Sequence, residues 1–388
     1  MKNAKRFSVQ KGIVFISLFS VMCIPVSAQN PSSSRAFNDI SAMELVNNIR
    51  IGWNLGNTLD TADLHWLPDN AAVSQFETAW GNPVTTKAMI DTVKNAGFNA
   101  IRIPVSWSKS VNRNYVIRND WMRRVKQVVD YAVNNDMYII INTHHDEGIF
   151  KFLDRDMERS KSAFVKIWEQ ICEAFRDYGE KLIFEGLNEP RTKGSPNEWN
   201  GGTAEERKNV NVYNQLFVDT VRASGGNNVM RILMIPTYAA SAMEQPMNDL
   251  VIPNDPKNRE NKIIVSIHAY EPYNFALNEN SPVNTWSRTN RNDTLPITER
   301  IDRAYNLFIS KGIPVIMGEF GALNKKNEAA RAEWAEFYVG YAKSKGVKCF
   351  WWDDGGSNDP PSGGGLFVRR LNKIAFPLII EALMKASG

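Results

Sequence analysis

The sequence is poor in cysteine and contains no dinucleotide-binding turn. Three cysteines in 388 residues are too few for a disulfide framework, so the fold must be held together by its hydrophobic core. Cys23 lies in the N-terminal segment, and we expect Cys172 and Cys349 to be two buried thiols. No Gly-x-Gly-x-x-Gly turn follows the first predicted strand, which argues against a nicotinamide or flavin dinucleotide as cofactor.

The sequence also has little excess charge outside its N-terminus. The formal net charge is +4, and it comes from Lys2, Lys5, Arg6 and Lys11, because the first 28 residues contain no acidic side chain. The rest of the chain carries as many basic as acidic side chains. A chain with no basic excess is not typical of nucleic-acid-binding proteins, so we expect no nucleic-acid partner.

The N-terminal segment has the pattern of a secretory signal peptide. Basic residues are followed by an apolar run, which ends with Val-Ser-Ala at residue 28. The run is shorter than the roughly 20 residues of a membrane-spanning helix. Cys23 suggests lipidation as an alternative, but the residues before it fit a lipobox poorly. We expect cleavage after Ala28, a polar linker over 29–39, extracellular or periplasmic localisation, no membrane association after cleavage, and a monomer.

Residues 40–388 alternate between short apolar runs and amphipathic helical patterns. Strands are predicted near 50–54, 99–105, 138–143, 183–187, 231–236, 263–268, 314–318 and 347–352. Several runs are almost continuously apolar, as expected of parallel strands covered on both faces. Eight such units predict an α/β fold, a single-domain (β/α)8 TIM barrel. A doubly wound open sheet is the competing architecture.

One end of the predicted barrel carries the long loops. The predicted connections that follow strands span 58–84, 191–203, 272–296 and 353–372, whereas the connections that precede strands are short. Catalytic residues of such barrels lie on the long loops after the strands. Several aromatic residues are expected at this mouth: Trp66, Trp80, Tyr273 and Trp286. Long loops and aromatic side chains together favour an open cleft for an extended ligand.

Two glutamates are the candidate catalytic groups. Glu189 is predicted at the end of the fourth strand and Glu319 at the end of the seventh. Carboxylates on non-adjacent strands face each other across a barrel mouth, and glycoside hydrolysis needs such a pair. Either residue alone would more often form a structural ion pair or cap a helix. Glu185 is a weaker candidate because it lies deeper in its strand.

Polar side chains on other strands are predicted to surround this pair. Strand alternation places Arg102 inside the barrel, where it needs an anion as partner. His268 and Tyr270 share one side of the sixth strand, and a tyrosine hydroxyl there could donate to a carboxylate. Of Trp351 and Trp352 at the end of the eighth strand, one is expected to stack on a sugar and the other to pack outward.

These residues occur in motifs that resemble glycoside hydrolase family 5. The shared motifs, in order, are Ile-Arg-Ile-Pro around Arg102, Asn188-Glu189-Pro190, His268-x-Tyr270, Gly318-Glu319-Phe320 and Trp352. Three further motifs resemble subfamily 4 of that family: Gly52 to Asp60 (Gly-Trp-Asn-Leu-Gly-Asn-Thr-Leu-Asp), Glu77 to Pro83, and Trp352-Asp353-Asp354-Gly355. The last departs slightly from the subfamily pattern, which often has asparagine at position 354.

The resemblance implies a retaining endo-β-1,4-glucanase that acts on β-glucan and has no metal or cofactor. It implies Glu189 as proton donor and base and Glu319 as nucleophile. The supporting residues carried over are Arg102, Asn188, His268 and Tyr270, with Asn188 binding the sugar 2-hydroxyl. The substrate-binding residues carried over are Asn54, His144, His145 and Trp352.

Three alternatives remain open at the level of sequence. The first is an endo-β-1,4-glycanase of the same mechanism directed at xyloglucan or mannan. The second is a metal-dependent hydrolase using His144, His145, Asp146 and His268, although adjacent histidines point apart on a regular strand and make a poor chelating pair. The third is a noncatalytic glycan-binding barrel, which the presence of both glutamates disfavours.

Overall fold

The computed structural model describes Met1 and residues 37–256, 261–356 and 363–388. From residue 37 onward the described residues belong to one compact unit. The predicted signal peptide, its cleavage site and most of the predicted linker lie outside the described residues. Among the helices of the described ranges, none combines the length and the apolar character needed to cross a bilayer.

Eight parallel strands close into a barrel in chain order, with the first strand paired to the eighth. The strands are β1 (Gly52–Leu55), β2 (Ala100–Ile103), β3 (Tyr138–Asn142), β4 (Leu182–Glu185), β5 (Leu233–Ser241), β6 (Ile263–His268), β7 (Val315–Phe320) and β8 (Lys348–Asp353). A small antiparallel hairpin follows, formed by β9 (Phe367–Val368) and β10 (Lys373–Ile374). The predicted (β/α)8 barrel and its eight strands are confirmed.

Helices connect the strands and surround the barrel. They are α1 (Ala42–Asn48), α2 (Val73–Glu77), α3 (Lys87–Asn95), α4 (Asn119–Val133), α5 (Met157–Ala174), α6 (Ala204–Ala223), α7 (Glu244–Asn248), α8 (Tyr273–Ala276), α9 (Arg291–Leu307), α10 (Glu328–Ser344) and α11 (Pro377–Ser387). Helix α4 shows why they form: Trp121, Val125 and Val129 recur on one face and are buried against the strands.

The apolar core has two separate parts. The larger lies between the strands and the surrounding helices and includes Ile101 and Ile103 of β2. The smaller fills the inside of the barrel near its floor, where α1 closes the amino-terminal end with Leu45 and Val46. Ala100 belongs to this inner cluster, so Arg102, two residues later, also points inward as predicted.

Three strands, β2, β3 and β4, end earlier than predicted, and for β3 and β4 this changes where site residues lie. Strand β4 ends at Glu185, so Glu189 sits in the loop after the strand. Strand β3 ends at Asn142, so His144 also lies beyond its strand. The two loop segments still run side by side, because the backbone N–H of Asn188 donates to the carbonyl of Thr143 at 2.9 Å.

The cysteine prediction is confirmed. Cys172 and Cys349 are free and buried. Burial raises the pKa of Cys172 to about 12 and raises that of Cys349 further. Both thiols therefore stay protonated and act as small apolar side chains.

Candidate active site

Arg102 is fully buried and binds four side chains from four loops and strands. Its Nε donates to Glu185 at 2.7 Å and its Nη1 to Glu319 at 2.8 Å. Nη1 also donates to Asn54 Oδ1 at 3.0 Å, and Nη2 to Asn188 Oδ1 at 2.6 Å. Two buried carboxylates facing one guanidinium hold it charged. The arginine therefore fixes the position of the polar groups at the mouth.

Glu319 is the penultimate residue of β7, and its carboxylate lies in the barrel mouth. One oxygen accepts from Arg102, and the other accepts from the hydroxyl of Tyr270 at 2.8 Å. Burial, with the charges of Glu319 and Glu189 nearby, raises the pKa of Tyr270 well above its ordinary value. The tyrosine therefore remains a donor, and Glu319 is held from both sides as an acceptor.

Glu189 lies across the mouth from Glu319, beside His268. Its Oε1 is 2.9 Å from Nδ1 of His268, and oxygens of the two glutamates lie within 4.8 Å of each other. Burial opposes ionisation of Glu189, but the hydrogen bond and charge of His268, with Arg191, outweigh it and lower the pKa. The two glutamates therefore differ in their partners: an arginine and a tyrosine hold Glu319, and a histidine holds Glu189.

The position of His268 depends on a glycine in the neighbouring strand. A Cβ atom at Gly318 would lie 2.9 Å from Nε2 of His268 and 3.1 Å from Oγ of Ser266. Any larger residue would push the imidazole out of its place against β7. Gly318 is thus required by close approach, directly before the glutamate that faces the histidine.

Three predicted sugar contacts, His144, His145 and Trp352, lie next to one another in the cavity lining. The rings of His144 and Trp352 are parallel, with centroids 5.8 Å apart, and the rings of His144 and His145 meet edge to face at 4.4 Å. Burial and neighbouring positive groups lower the pKa of His144, so its ring is neutral. Burial opposes protonation of His145, but Glu147 and Asp60 outweigh it and raise that pKa.

The two tryptophans of β8 divide as alternation requires. Trp352 lines the cavity, whereas Trp351 is fully buried outside the barrel and donates from Nε1 to the carbonyl of Gly364 at 2.7 Å. Asn54 departs from its prediction. It is fully buried, and its amide nitrogen donates to the backbone carbonyls of Gly318 and Phe350. It is not part of the cavity lining, and it supports Arg102 from below.

The cavity at the mouth has a volume of about 690 Å³. Both glutamates, Asn188, both histidines after β3, His268, Tyr270 and Trp352 line it. Its walls extend to two aromatic side chains on the loops, Trp199 and Tyr273, which are 55% and 57% exposed. The space is therefore a cleft with exposed aromatic surface beyond the reacting groups.

The aromatic residues predicted at the mouth have different positions. Tyr273 lines the cavity, and Trp80 lies 5.7 Å from the ring of His145. Trp66 is exposed but is not part of the cavity lining. The prediction for Trp286 is wrong: it is buried, packs on Phe337 at 5.3 Å and donates to the backbone carbonyl of residue 293. Its loop folds back onto α10.

Several site residues were not found from sequence. Asn142 donates to Glu185 at 2.9 Å and approaches Nδ1 of His144 at 3.1 Å. Ser266 donates to the other oxygen of Glu185 at 2.8 Å. Arg191 binds the backbone carbonyl of Glu189 at 2.9 Å. Strand alternation places Asn142 of β3 and Ser266 of β6 inside the barrel, which could have identified them. A short polar side chain at an inward position does not by itself indicate a catalytic site.

Two groups of side chains bring possible metal ligands within 4.8 Å of one another: Asp60 with His144 and His145, and Glu189 with His268 and Glu319. The donor atoms of both are largely engaged: Asp60 accepts two backbone N–H groups, and Glu319 accepts from Arg102 and Tyr270. We therefore assign no metal ligand. The expectation that the rings of His144 and His145 point apart is wrong. Both residues lie in the loop after β3, where strand alternation no longer applies, and their rings touch each other.

A pair of carboxylates across the carboxyl-terminal mouth of a (β/α)8 barrel, set beside a cleft with aromatic walls, defines a glycoside hydrolase of the barrel class. The sequence model of cellulases, glycosyl hydrolase family 5, matches residues 67–358. The chain belongs to glycosyl hydrolase family 5, as its motifs predicted.

Known relatives agree with this membership. Endoglucanase A of Clostridium longisporum is 48% identical over 336 residues, which are 86% of this chain and 63% of the relative. The structure of a GH5-4 broad specificity endoglucanase from Ruminococcus champanellensis with bound cellotriose is 46% identical. It covers 90% of this chain and 99% of its own, with a TM-score of 0.86.

A third similar structure has a narrower description. A GH5 xyloglucan-specific endo-beta-1,4-glucanase from a metagenomic library, in complex with cellotriose, is 42% identical with a TM-score of 0.81. It covers 88% of this chain and 98% of its own. The chain spans only part of the length of some relatives: 63% of the clostridial endoglucanase A and 41% of the cellulase/esterase CelE of Acetivibrio thermocellus.

Proposed function

We propose that the protein is an endo-β-1,4-glucanase that cleaves internal bonds of β-glucans with retention of anomeric configuration. The observation that carries the proposal is the separation of the glutamates, whose oxygens lie within 4.8 Å. Retaining glycosidases hold their carboxyl groups about 5–5.5 Å apart, and inverting ones about 6.5–9.5 Å. The closer spacing leaves no room for a water molecule between the sugar and the second carboxylate.

In the first step Glu319 attacks the anomeric carbon, and Glu189 gives its proton to the leaving oxygen. Arg102 and Tyr270 hold the oxygens of Glu319, which aligns one of them with the reacting carbon. The glycosidic C–O bond breaks, a covalent glycosyl ester forms on Glu319, and the remainder of the chain leaves as an alcohol.

In the second step Glu189 acts as a base. It removes a proton from water, which attacks the anomeric carbon and displaces Glu319. His268, whose Nδ1 lies 2.9 Å from Oε1 of Glu189, holds this carboxyl group in place during both steps. Asn188 lines the cavity with Oδ1 occupied by Arg102. Its amide nitrogen is therefore the group left to donate to the sugar 2-hydroxyl.

The shape of the cleft supports an extended substrate. Exposed aromatic side chains on two loops, Trp199 and Tyr273, line the cavity together with the stacked rings of Trp352 and His144. Aromatic faces bind sugar rings, and contact with remote sugars orients the reacting one. The proposed substrate is soluble or amorphous β-1,4-glucan. Xyloglucan is the second candidate, on the likeness to the xyloglucan-specific structure, and mannan the third.

The location is proposed from the N-terminal pattern. Secretion to the exterior or the periplasm, cleavage after Ala28 and a mature protein beginning at Gln29 follow from residues 1–28. N-terminal sequencing of the exported protein tests this, and a mature chain that still begins with Met1 would refute it.

A panel of soluble polysaccharides tests the proposed activity. On β-1,4-glucan we expect viscosity to fall early relative to the release of reducing ends, and proton NMR to show the β-anomer first. Longer oligosaccharides should have higher kcat/KM than cellobiose derivatives. Release of only glucose or cellobiose with viscosity nearly unchanged would refute internal cleavage. An initial α-anomer would refute retention, and binding without hydrolysis would favour a glycan-binding role.

A further inference from the structure

Asp146 is a buried carboxylate that the steps above do not use. It follows β3, is 1% exposed, and its Oδ1 accepts the backbone N–H groups of Trp107 at 2.8 Å and Ser108 at 2.7 Å. Its Oδ2 is buried and has no hydrogen-bond partner among the described residues. A buried carboxylate oxygen without a partner is costly, so it points to a ligand.

A small recess beside Asp146 leads to Glu189. Its volume is about 10 Å³, roughly what the centre of one water molecule requires. Its polar lining consists of His144, Asp146, Glu147, Asn188 and Glu189. The remaining wall is largely apolar, with Phe150, Phe152 and Leu187. A water molecule here has several polar partners.

We propose that the recess binds one water molecule that joins Oδ2 of Asp146 to the carboxyl group of Glu189, and that Asp146 is thereby a positioning residue for the proton donor. The proposal rests on the proposed function, because it takes Glu189 as the group that protonates the leaving oxygen. The water holds Glu189 from outside the main cavity and leaves its other face free for the substrate.

The charged groups around Glu189 and Asp146 decide at which pH each carboxyl group ionises. The titratable or charged groups that face Glu189 are His145, Arg191, His268, Tyr270 and Glu319, and those near Asp146 are His144 and Glu147. Burial raises the pKa of Asp146 to about 7, against two backbone N–H groups that lower it.

The positive groups around Glu189 favour its ionised form, which cannot donate a proton. Asp146 keeps its proton up to about pH 7, so it is neutral over the acidic range in which Glu189 loses its own proton. Above about pH 7 Asp146 ionises, and its negative charge then favours the protonated form of Glu189. Asp146 therefore raises the protonated fraction of Glu189, and with it the activity, only above about pH 7.

The variant Asp146→Asn separates this role from a structural one. Asparagine keeps an oxygen for the N–H groups of Trp107 and Ser108 but cannot ionise. We expect kcat/KM of the variant on soluble β-1,4-glucan to match the wild type below about pH 6 and to lie about 3- to 10-fold below it above about pH 7, which corresponds to a change of about 0.5–1 in the pKa of Glu189. The control is Asp293→Asn, whose carboxylate accepts the N–H of Ser287 at 2.9 Å outside the cavity lining. It should match the wild type both below and above pH 7.

A high-resolution crystal structure of the wild-type protein tests the water directly. We expect an ordered water within about 3.2 Å of Oδ2 of Asp146 and of one oxygen of Glu189. Equal kcat/KM of an active Asp146→Asn protein and the wild type above pH 7, or a recess with no bridging water, would overturn the proposal. A wild-type protein that does not hydrolyse β-glucan would refute the proposed function instead. In that case, or if the variant fails to fold, the crystal structure of the wild-type protein still shows whether the bridging water is present.

Discussion

The hydroxyl of Tyr270 donates to Oε2 of Glu319 at 2.8 Å, while Nη1 of Arg102 holds the other oxygen of that glutamate. The tyrosine comes from the segment after β6 and the glutamate from β7, so two neighbouring units of the barrel set the carboxylate. A nucleophile restrained through both oxygens cannot rotate away from the anomeric carbon. Glu189, by contrast, is held beside His268, so the two carboxyl groups should respond differently to substitution.

Replacing Glu319 with alanine should remove the nucleophile. We expect kcat on β-1,4-glucan to fall at least about 10³-fold, because no covalent intermediate forms. Azide should restore some turnover, since a small anion fits the space left by the carboxylate and attacks from the same side. NMR should show an inverted glycosyl azide. A retained azide product would instead assign this role to Glu189.

Replacing Glu189 with alanine should affect substrates according to their leaving group. Aryl glycosides with good leaving groups should still form the intermediate, which then persists because no base activates water. Mass spectrometry should detect the glycosyl ester on Glu319, and azide should release it with net retention. Equal loss on aryl glycosides and on β-glucan, with no trapped ester, would speak against the acid/base role.

Replacing Tyr270 with phenylalanine should lower kcat/KM by about 10- to 100-fold, because one donor to Glu319 is lost. The pKa of Tyr270 is raised well above its ordinary value, so this tyrosine contributes no alkaline limb below pH 10. The control is Tyr213→Phe, whose hydroxyl bonds Ser160 and the carbonyl of Lys151 away from the cleft. It should lower stability and leave kcat/KM nearly unchanged.

Glu147 should stabilise the fold at neutral pH. Burial opposes its ionisation, but the hydrogen bond and charge of His145 and the charge of Arg191 outweigh it and lower the pKa to about 2. Since the folded pKa lies below the unfolded one, the stabilisation is present above about pH 4.5 and lost as pH falls towards 2. Its size is on the order of 2–3 kcal/mol.

Urea unfolding of Glu147→Gln checks this prediction. The variant should be less stable than the wild type at pH 6–7, and the difference should shrink as pH falls from 5 towards 3. Glu158→Gln is the control, because Glu158 is 91% exposed and pairs with Lys161 on the surface. Its effect should stay below about 1 kcal/mol. A pH-independent difference for Glu147→Gln would contradict the assignment.

The sequence was most informative where backbone periodicity decides the outcome. Period-two alternation placed Arg102 inside the barrel and required one of Trp351 and Trp352 to pack outward, and continuous apolar runs located the eight strands of the barrel. It failed beyond the strand ends. Alternation does not hold after Asn142, so the rings of His144 and His145 touch instead of pointing apart.

Long loops were the other limit. Trp286 lies in a segment that folds back onto α10, and no local pattern shows that packing. Asn54 was expected to touch sugar, but three backbone carbonyls and Arg102 take up its amide beneath the cavity. Arg191 became meaningful only through its contacts with Glu147 and the carbonyl of Glu189. Such contacts join distant segments and leave no periodic signal.

Helix α1 closes the barrel at the end opposite the glutamates, with Leu45 and Val46 inside the floor. The chain from residue 37 therefore enters the fold on the face away from the cleft. Coupling the protein to a bead or sensor chip through its N-terminus should leave the reacting groups turned towards solution. An immobilised enzyme of this orientation should keep access to long polymer chains that a mouth-side attachment would block.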